Sequence, residues 1–395
     1  MFRRKIMLEL ENWKNSSGKK KAIAIKGLRQ IGKTYSVREF AKKNYKNSIY
    51  VNFKENESAK KIFDYDLNVN RIIIDLSALF PDSRFEEGNT VIIFDEIQEC
   101  ANARSSIKPF CEDGRFDIIA TGSLLGIKGY NKKKGKGVPT GFERVVYMKP
   151  MDFEEFLWAK GINENVIAYI RECYETKTPV SEATHQAMLR YFKEYICVGG
   201  LPYIVDRFIS TNDMNVVWQE QHDIIEEYKD DFGKHLDENE NEKIDISLLG
   251  RINRVFDSIP AQLAKENKKF IYGLVREGGR AKDFETAIMW LSDCGLIHKI
   301  SRVNSAGIPL KAYEDLKAFK LFLVDIGLLG CLTGLSSQTI LYKNELFTEF
   351  KGAISEQYVC QQLKSISDLG LYYYTNDRGS CEIDFVVDTG EQVIP

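Results

Sequence analysis

The octapeptide Gly27-Leu28-Arg29-Gln30-Ile31-Gly32-Lys33-Thr34 constrains this chain more than any other stretch. It fits the pattern G-x-x-x-x-G-K-[ST] at every position. The apolar run Ala22-Ile23-Ala24-Ile25 precedes it, and a segment of helical character, 34–45, follows. A strand, a glycine-bearing turn and a helix start, in that order, make a cradle for phosphate. Backbone N–H groups converge on anionic oxygens, and the helix N-terminus adds partial positive charge. In such a cradle Gly27, Leu28, Arg29, Gln30, Ile31 and Gly32 surround the phosphates of ATP. Lys33 reaches the β- and γ-phosphates, and Thr34 offers its hydroxyl to Mg²⁺.

The partner of this loop lies downstream. Thr90-Val91-Ile92-Ile93-Phe94 is a continuous apolar run, as suits a strand buried on both faces of a parallel sheet, and it ends in Asp95-Glu96. Carboxylates at the C-terminal end of such a strand stand where open α/β sheets bind ligands. Asp95 is expected to hold Mg²⁺ through water, and Glu96 to act as general base toward the attacking water. A third strand, Asp117-Ile118-Ile119-Ala120, ends in Thr121-Gly122-Ser123. Ser123 is the candidate to sit beside that water and sense the γ-phosphate. Thr121 fits the same role, and Thr-Gly-Ser is also ordinary turn chemistry.

Composition sets the outer limits. The chain has 395 residues, room for two or three domains, and 44% apolar with 12% aromatic content supports packed cores. Net charge is −2, so a nucleic-acid surface would have to be a local patch. The eight cysteines form no C-x-x-C pair and the four histidines do not cluster with them, which argues against zinc and against a disulfide framework. No apolar run reaches membrane-spanning length. Glu9 and Glu11 interrupt the segment after the basic start Arg3-Arg4-Lys5, so no signal-peptide core is expected. These features read as a cytoplasmic protein without a membrane partner.

Residues 1–150 alternate strand patterns (21–26, 48–53, 90–94, 116–121, 144–148) with helix patterns (5–15, 33–45, 70–80, 101–112). Such alternation predicts a doubly covered parallel sheet, an α/β P-loop NTPase core. The distance from Lys33 to Asp95 suits the ATPase branch in which another strand separates the two motif strands. The basic loop 131–137 either contacts nucleic-acid phosphates or is a solvated loop. Arg144, Arg104, Arg115 and Arg84 compete for the role of an arginine finger in a homo-oligomer. Residues 151–242 read as a helical lid or linker region, opened by a capping box at Asp152 and Glu155 and closed by the acidic run 236–242. Gly199-Gly200-Leu201-Pro202 breaks the helical pattern, and the break could be a hinge. Residues 243–340 carry helix patterns at 246–258, 259–267 and 281–294. Apolar runs at 296–303 and 308–313 follow, a possible hairpin, so the segment reads as winged-helix-like. Its helix 281–294 is either a DNA reader, with Arg280 and Lys282 at its start, or part of a protein-interaction module. Residues 345–395 make a partial α/β segment.

Together these residues point to a family. The loop with Lys33, Asp95-Glu96-Ile97-Gln98, Thr121-Gly122-Ser123, Pro150-Met151-Asp152-Phe153-Glu154-Glu155-Phe156, Gly199-Gly200-Leu201-Pro202 and Phe319-Lys320-Leu321-Phe322-Leu323-Val324-Asp325-Ile326-Gly327-Leu328-Leu329 occur in order. The chain resembles the predicted prokaryotic AAA+ ATPases that carry a C-terminal domain of unknown function. That resemblance implies an ATPase core, a helical and winged-helix middle, and a tail similar to restriction-endonuclease-like folds. In such tails an acid and a following E-x-K strand bind Mg²⁺ for phosphodiester cleavage. Asp384 matches the first acid, with Glu382 and Glu356 as supporting candidates. No E-x-K follows within the sequence, so a truncated or degenerate tail is expected and nuclease activity is not. The expected function is Mg²⁺-dependent ATP hydrolysis, with ADP released, that moves the helical and winged-helix parts, on DNA or on a protein partner. The alternative is a nucleotide-gated protein-binding switch with little hydrolysis.

Overall fold

Five apolar runs become the parallel sheet that carries the phosphate loop. In the computed structural model they are β1 (Ala22–Gly27), β2 (Asn47–Asn52), β3 (Thr90–Asp95), β4 (Asp117–Ser123) and β5 (Glu143–Tyr147). The described residues are 2–123, 139–234, 246–265, 269–335, 340–341, 350–366, 369–376 and 381–395. The chain divides into two units, Arg3–Lys149 and Pro150–Pro395.

All strands of the first unit run parallel, in the order β2-β3-β4-β1-β5. β4 therefore lies between the two motif strands, as their spacing led one to expect. β1 and β3 are buried along their whole length, while the edge strands β2 and β5 are partly exposed. This is the physical basis of their composition: central strands of a doubly covered sheet meet apolar layers on both faces. Helices α1 (Ile6–Lys14), α2 (Lys33–Asn44), α3 (Glu57–Ile62), α4 (Val69–Leu79) and α5 (Ala101–Asp113) complete the unit. Under α3, the rings of Phe53, Phe63 and Phe94 meet with centroids 5.5 to 5.6 Å apart. That cluster sits directly beneath the C-terminal end of β3 and fixes where Asp95 emerges.

The second unit begins with α6 (Phe153–Ala159), α7 (Glu164–Thr176), α8 (Glu182–Val198), α9 (Pro202–Thr211) and α10 (Met214–Lys234). Asp152 caps α6: its carboxylate accepts from the Glu155 backbone N–H, and the Glu155 side chain accepts from the Asp152 N–H. α11 (Ile246–Ala264) replaces the two helices expected at 246–258 and 259–267. It runs through Pro260, because apolar burial of Ile252, Val255, Phe256, Ile259 and Leu263 along one face outweighs the missing N–H. α12 (Tyr272–Val275) and α13 (Ala281–Asp293) lead into β6 (Ile297–Val303).

The partner of β6 is β7 (Glu314–Leu323), not 308–313. Pro309 has no N–H to give to a ladder, and Leu310–Tyr313 form a 3₁₀ turn. β8 (Gly370–Thr375), β9 (Glu382–Asp388) and β10 (Val393–Ile394) join the same sheet in the order β10-β9-β8-β6-β7, with β8 parallel to β6. Segments on either side of residues 340–345 thus share one sheet. α14 (Ile326–Thr333) follows β7, and α15 (Lys351–Ser365) packs on β7, where its Gln357 accepts from the Leu323 N–H.

Three family motifs meet in one buried knot of this unit. Asp325, 1% exposed, accepts from the N–H groups of Gly200 (2.6 Å), Gly327 (2.9 Å) and Leu328 (3.3 Å), and from Gln361 Nε2 (3.1 Å). The Met151 N–H donates to the Gly200 carbonyl at 2.6 Å, and the Tyr195 hydroxyl donates to the Met151 carbonyl at 2.7 Å. A Cβ on Gly200 would lie 2.0 Å from the Met151 carbonyl oxygen, so only glycine allows this approach. The Gly-Gly break is a locked crossing of backbones. The sequence offered it as a possible hinge.

Candidate active site

Residues 27–34 curl between β1 and α2 through left-handed backbone at Gln30 (φ 61°) and Gly32 (φ 85°). A Cβ on Gly27 would stand 2.8 Å from the Met148 carbonyl oxygen, which explains glycine at the start of the loop. Arg4 reaches in from the N-terminal segment. Its buried guanidinium donates to the Ile31 carbonyl at 3.2 Å and to the Lys149 carbonyl at 2.6 Å. In the sequence Arg4 stands out only as one of the basic residues Arg3-Arg4-Lys5, and nothing there marks this contact.

Lys33 is 7% exposed, and its ammonium donates back to the loop carbonyls of Leu28 (2.7 Å) and Gly27 (3.1 Å). Burial lowers the Lys33 ammonium below the usual lysine range, and the nearby carboxylates of Glu96 and Asp95 draw it back up. A desolvated cation hydrogen-bonded to neutral carbonyls is ready to exchange them for phosphate oxygens.

Asp95, 2% exposed, is the centre of the polar network. Its Oδ2 accepts from the Thr34 hydroxyl at 2.9 Å and from the Tyr50 hydroxyl at 2.6 Å. Its Oδ1 accepts from the Thr121 hydroxyl and from the Glu96 N–H, the latter at 3.1 Å. Burial and the bond to Asp95 push the Tyr50 hydroxyl well above its ordinary value, so it stays a donor. Tyr50 comes from β2, and no signal in its own neighbourhood marks it. Hydroxyl and carboxylate oxygens are the hard ligands Mg²⁺ selects, and the Thr34–Asp95 pair fits that ion.

Glu96 follows with left-handed backbone (φ 52°, ψ 47°), and its carboxylate accepts from Gln98 Nε2. Thr121 of the two sensor candidates touches Asp95. Ser123 lies opposite Gly27 in the β1–β4 register, and its buried hydroxyl has no hydrogen-bond partner among the described residues. Three of the arginine candidates are ion-paired within the unit: Arg104 with Glu143 at 3.0 Å, Arg115 with Asp113 at 2.7 Å and Arg144 with Glu9 at 2.7 Å. Arg84 is exposed. The basic loop 131–137 and the acidic run 236–242 lie outside the described residues.

The family-model comparison decides what this geometry is. Residues 19–157 match the model described as an AAA domain. The chain carries a P-loop ATPase domain of the AAA+ class. Residues 189–339 match a domain of unknown function (DUF8612), and residues 351–395 match another (DUF4143). Among curated proteins no sequence matches the chain. Among solved structures it is similar to the Walker-type ATPase PABY2304 of Pyrococcus abyssi. That match is 16% identical, covers 84% of this chain and 96% of that one, and has a TM-score of 0.47. The ORC2 protein of Aeropyrum pernix is 12% identical over 91% of this chain and 93% of its own, with a TM-score of 0.38. The RuvB Holliday junction branch migration motor of Thermotoga maritima is 12% identical over 75% and 89%, with a TM-score of 0.32.

The acids that the resemblance marked in the tail also come together. Glu356, Glu382 and Asp384 surround the ammonium of Lys320, at 3.0, 3.2 and 3.4 Å. Lys320 comes from β7, outside the tail, and sequence reading did not place it there. Among the described residues no group of three or more His, Cys, Asp or Glu side chains is arranged to hold a metal ion. All eight cysteines are free, and only Cys381 is exposed. No helix among the described residues is long and apolar enough to cross a membrane.

Proposed function

We propose that the first unit binds ATP with Mg²⁺ and hydrolyses it, and that turnover moves the second unit against a macromolecular partner. The carrying observation is the 2.9 Å contact of the Thr34 hydroxyl with the Asp95 carboxylate, beside a desolvated Lys33 and one residue from Glu96. Lys33 exchanges the Gly27 and Leu28 carbonyls for β- and γ-phosphate oxygens. Thr34 and Asp95 hold Mg²⁺, which neutralises phosphate charge when bound. Glu96 takes the proton of the attacking water. Ser123, whose buried hydroxyl has no hydrogen-bond partner among the described residues, reads the γ-phosphate at the tip of β4.

α11 and α13, followed by the antiparallel pair β6–β7, support a winged-helix-like reading of 243–340. The outward face of α13 presents Lys282, Glu285, Thr286 and Met289, the last 62% exposed. A face with mixed charge and an exposed thioether suits a protein surface better than a phosphate backbone. A protein is therefore favoured over DNA as the partner on which turnover acts. The test is steady-state ATP hydrolysis with and without single- and double-stranded DNA. Turnover indifferent to DNA supports a protein partner. Salt-sensitive stimulation by DNA refutes it in favour of a motor on nucleic acid.

A further inference from the structure

Glu96 is held in an unusual way. Its backbone is left-handed at φ 52°, a region that non-glycine residues enter seldom. The 3₁₀ turn Ile97–Glu99 follows at once, and Ile97, 1% exposed, pins that turn into the core beneath β3. The turn returns Gln98 to the Glu96 side chain, and Gln98 Nε2 donates to Glu96 Oε2. Among the described residues this is the only hydrogen bond to the Glu96 carboxylate. The amide orientation is dictated by charge, since a carbonyl oxygen cannot face a carboxylate. The orientation has a consequence: Gln98 Oε1 is buried and has no hydrogen-bond partner among the described residues. An unsatisfied buried acceptor is rare, and it marks a group retained for another reason.

We infer that Gln98 is the positioning residue of the hydrolytic site: its amide clamps one oxygen of Glu96 and leaves the other turned to the attacking water. This inference rests on the reading of Glu96 as the general base. Left-handed backbone swings the Glu96 side chain out of line with the strand, and the short turn brings the clamp from the same rigid element. One carboxylate oxygen is thus fixed while the second keeps its lone pairs for a proton. A base whose carboxylate rotates freely meets the water in the productive geometry for only part of the time, so loss of the clamp lowers the rate of chemistry. Nucleotide binding is left alone, because the hydrogen bond of Gln98 goes to Glu96 and, among the described residues, none joins it to residues 27–34.

The experiment is a double-mutant cycle on Mg²⁺-ATP hydrolysis by the full chain: wild type, Gln98→Ala, Glu96→Ala and the pair. Gln98→Glu is added as a variant of equal size that presents no donor. Single-turnover rates are measured alongside ATP affinity. The expected result is a fall in kcat of about tenfold to a hundredfold for Gln98→Ala and Gln98→Glu, the size of a lost charge-assisted hydrogen bond, with KM unchanged. In the Glu96→Ala background, Gln98→Ala then changes the rate less than about twofold, since a positioning residue has nothing left to position. A Gln98→Ala enzyme as fast as wild type, or an equally large loss in both backgrounds, overturns the inference alone. Absence of hydrolysis in wild type, with ATP still bound, overturns the ATPase reading and this inference with it.

Discussion

Replacing Lys320 by methionine should expose how the C-terminal acids are tolerated. The Lys320 side chain is 8% exposed and meets Glu356, Glu382 and Asp384, whose side chains are 21%, 29% and 57% exposed. Burial alone would lower the Lys320 ammonium, yet the three carboxylates together raise it above the ordinary lysine value. Glu356 is raised by burial and drawn back by Lys320. Removing one member of a buried ion pair costs about 3–5 kcal/mol, because the other charge remains uncompensated. Glu356 supplies most of that here, and the half-exposed Asp384 adds less than about 1 kcal/mol. Methionine nearly conserves the volume, so the cavity contribution is small. The expected loss is about 3 kcal/mol at pH 8. The pH dependence has a definite sign. A lysine held above its ordinary value contributes stability at every pH below that value, and the contribution is lost only as pH rises through the folded one. Wild type therefore gains nothing from this group between pH 8 and 5. In the variant Glu356 loses its cation and rises further, and protonation on acidification relieves the repulsion. The gap between variant and wild type should narrow from pH 8 to pH 5. Urea unfolding followed by circular dichroism at the two pH values measures it. A gap below about 1 kcal/mol, or one equal at both pH values, would refute the reasoning.

Other substitutions test other parts of the account. Lys33→Ala should weaken ATP binding by at least about tenfold in a fluorescence titration, since a desolvated cation on the phosphates is lost. Gly200→Ala should lower the stability of the second unit by more than about 2 kcal/mol in thermal melts, because its Cβ would sit 2.0 Å from the Met151 carbonyl oxygen. An unchanged melting temperature would mean that the crossing of the two backbones relaxes freely.

The first unit was legible because its information is contiguous. The phosphate loop, the apolar run before Asp95 and the strand before Thr121 each carry their own signal, and the strands form within two residues of where the sequence placed them. Strand order brings in what is not contiguous. Asn52 of β2 stands opposite Asp95 in the ladder, which is why Tyr50, two residues back on the same strand, can reach that carboxylate. Nothing local to Tyr50 announces it. The helix through Pro260 misleads for a different reason: proline opposes a helix locally, while an apolar face of Ile252, Val255, Phe256 and Ile259 imposes one through tertiary packing. Lys320 lies 36 residues from Glu356 and 64 from Asp384 in sequence, and the fold brings them together by docking α15 on β7 and by adding β8 and β9 to the sheet of β6 and β7. The knot around Asp325 draws on three separate stretches of sequence, at Met151, Gly200 and Asp325. Their meeting is a property of the folded chain alone.

The central claim is that Glu96 activates water at a nucleotide held by Lys33 and Thr34. The most direct test compares wild type with Glu96→Gln in Mg²⁺-ATP binding and single-turnover hydrolysis. The account predicts unchanged ATP affinity and a rate reduced by about a hundredfold or more, as for removal of a general base. A Glu96→Gln enzyme that hydrolyses ATP at the wild-type rate would contradict it.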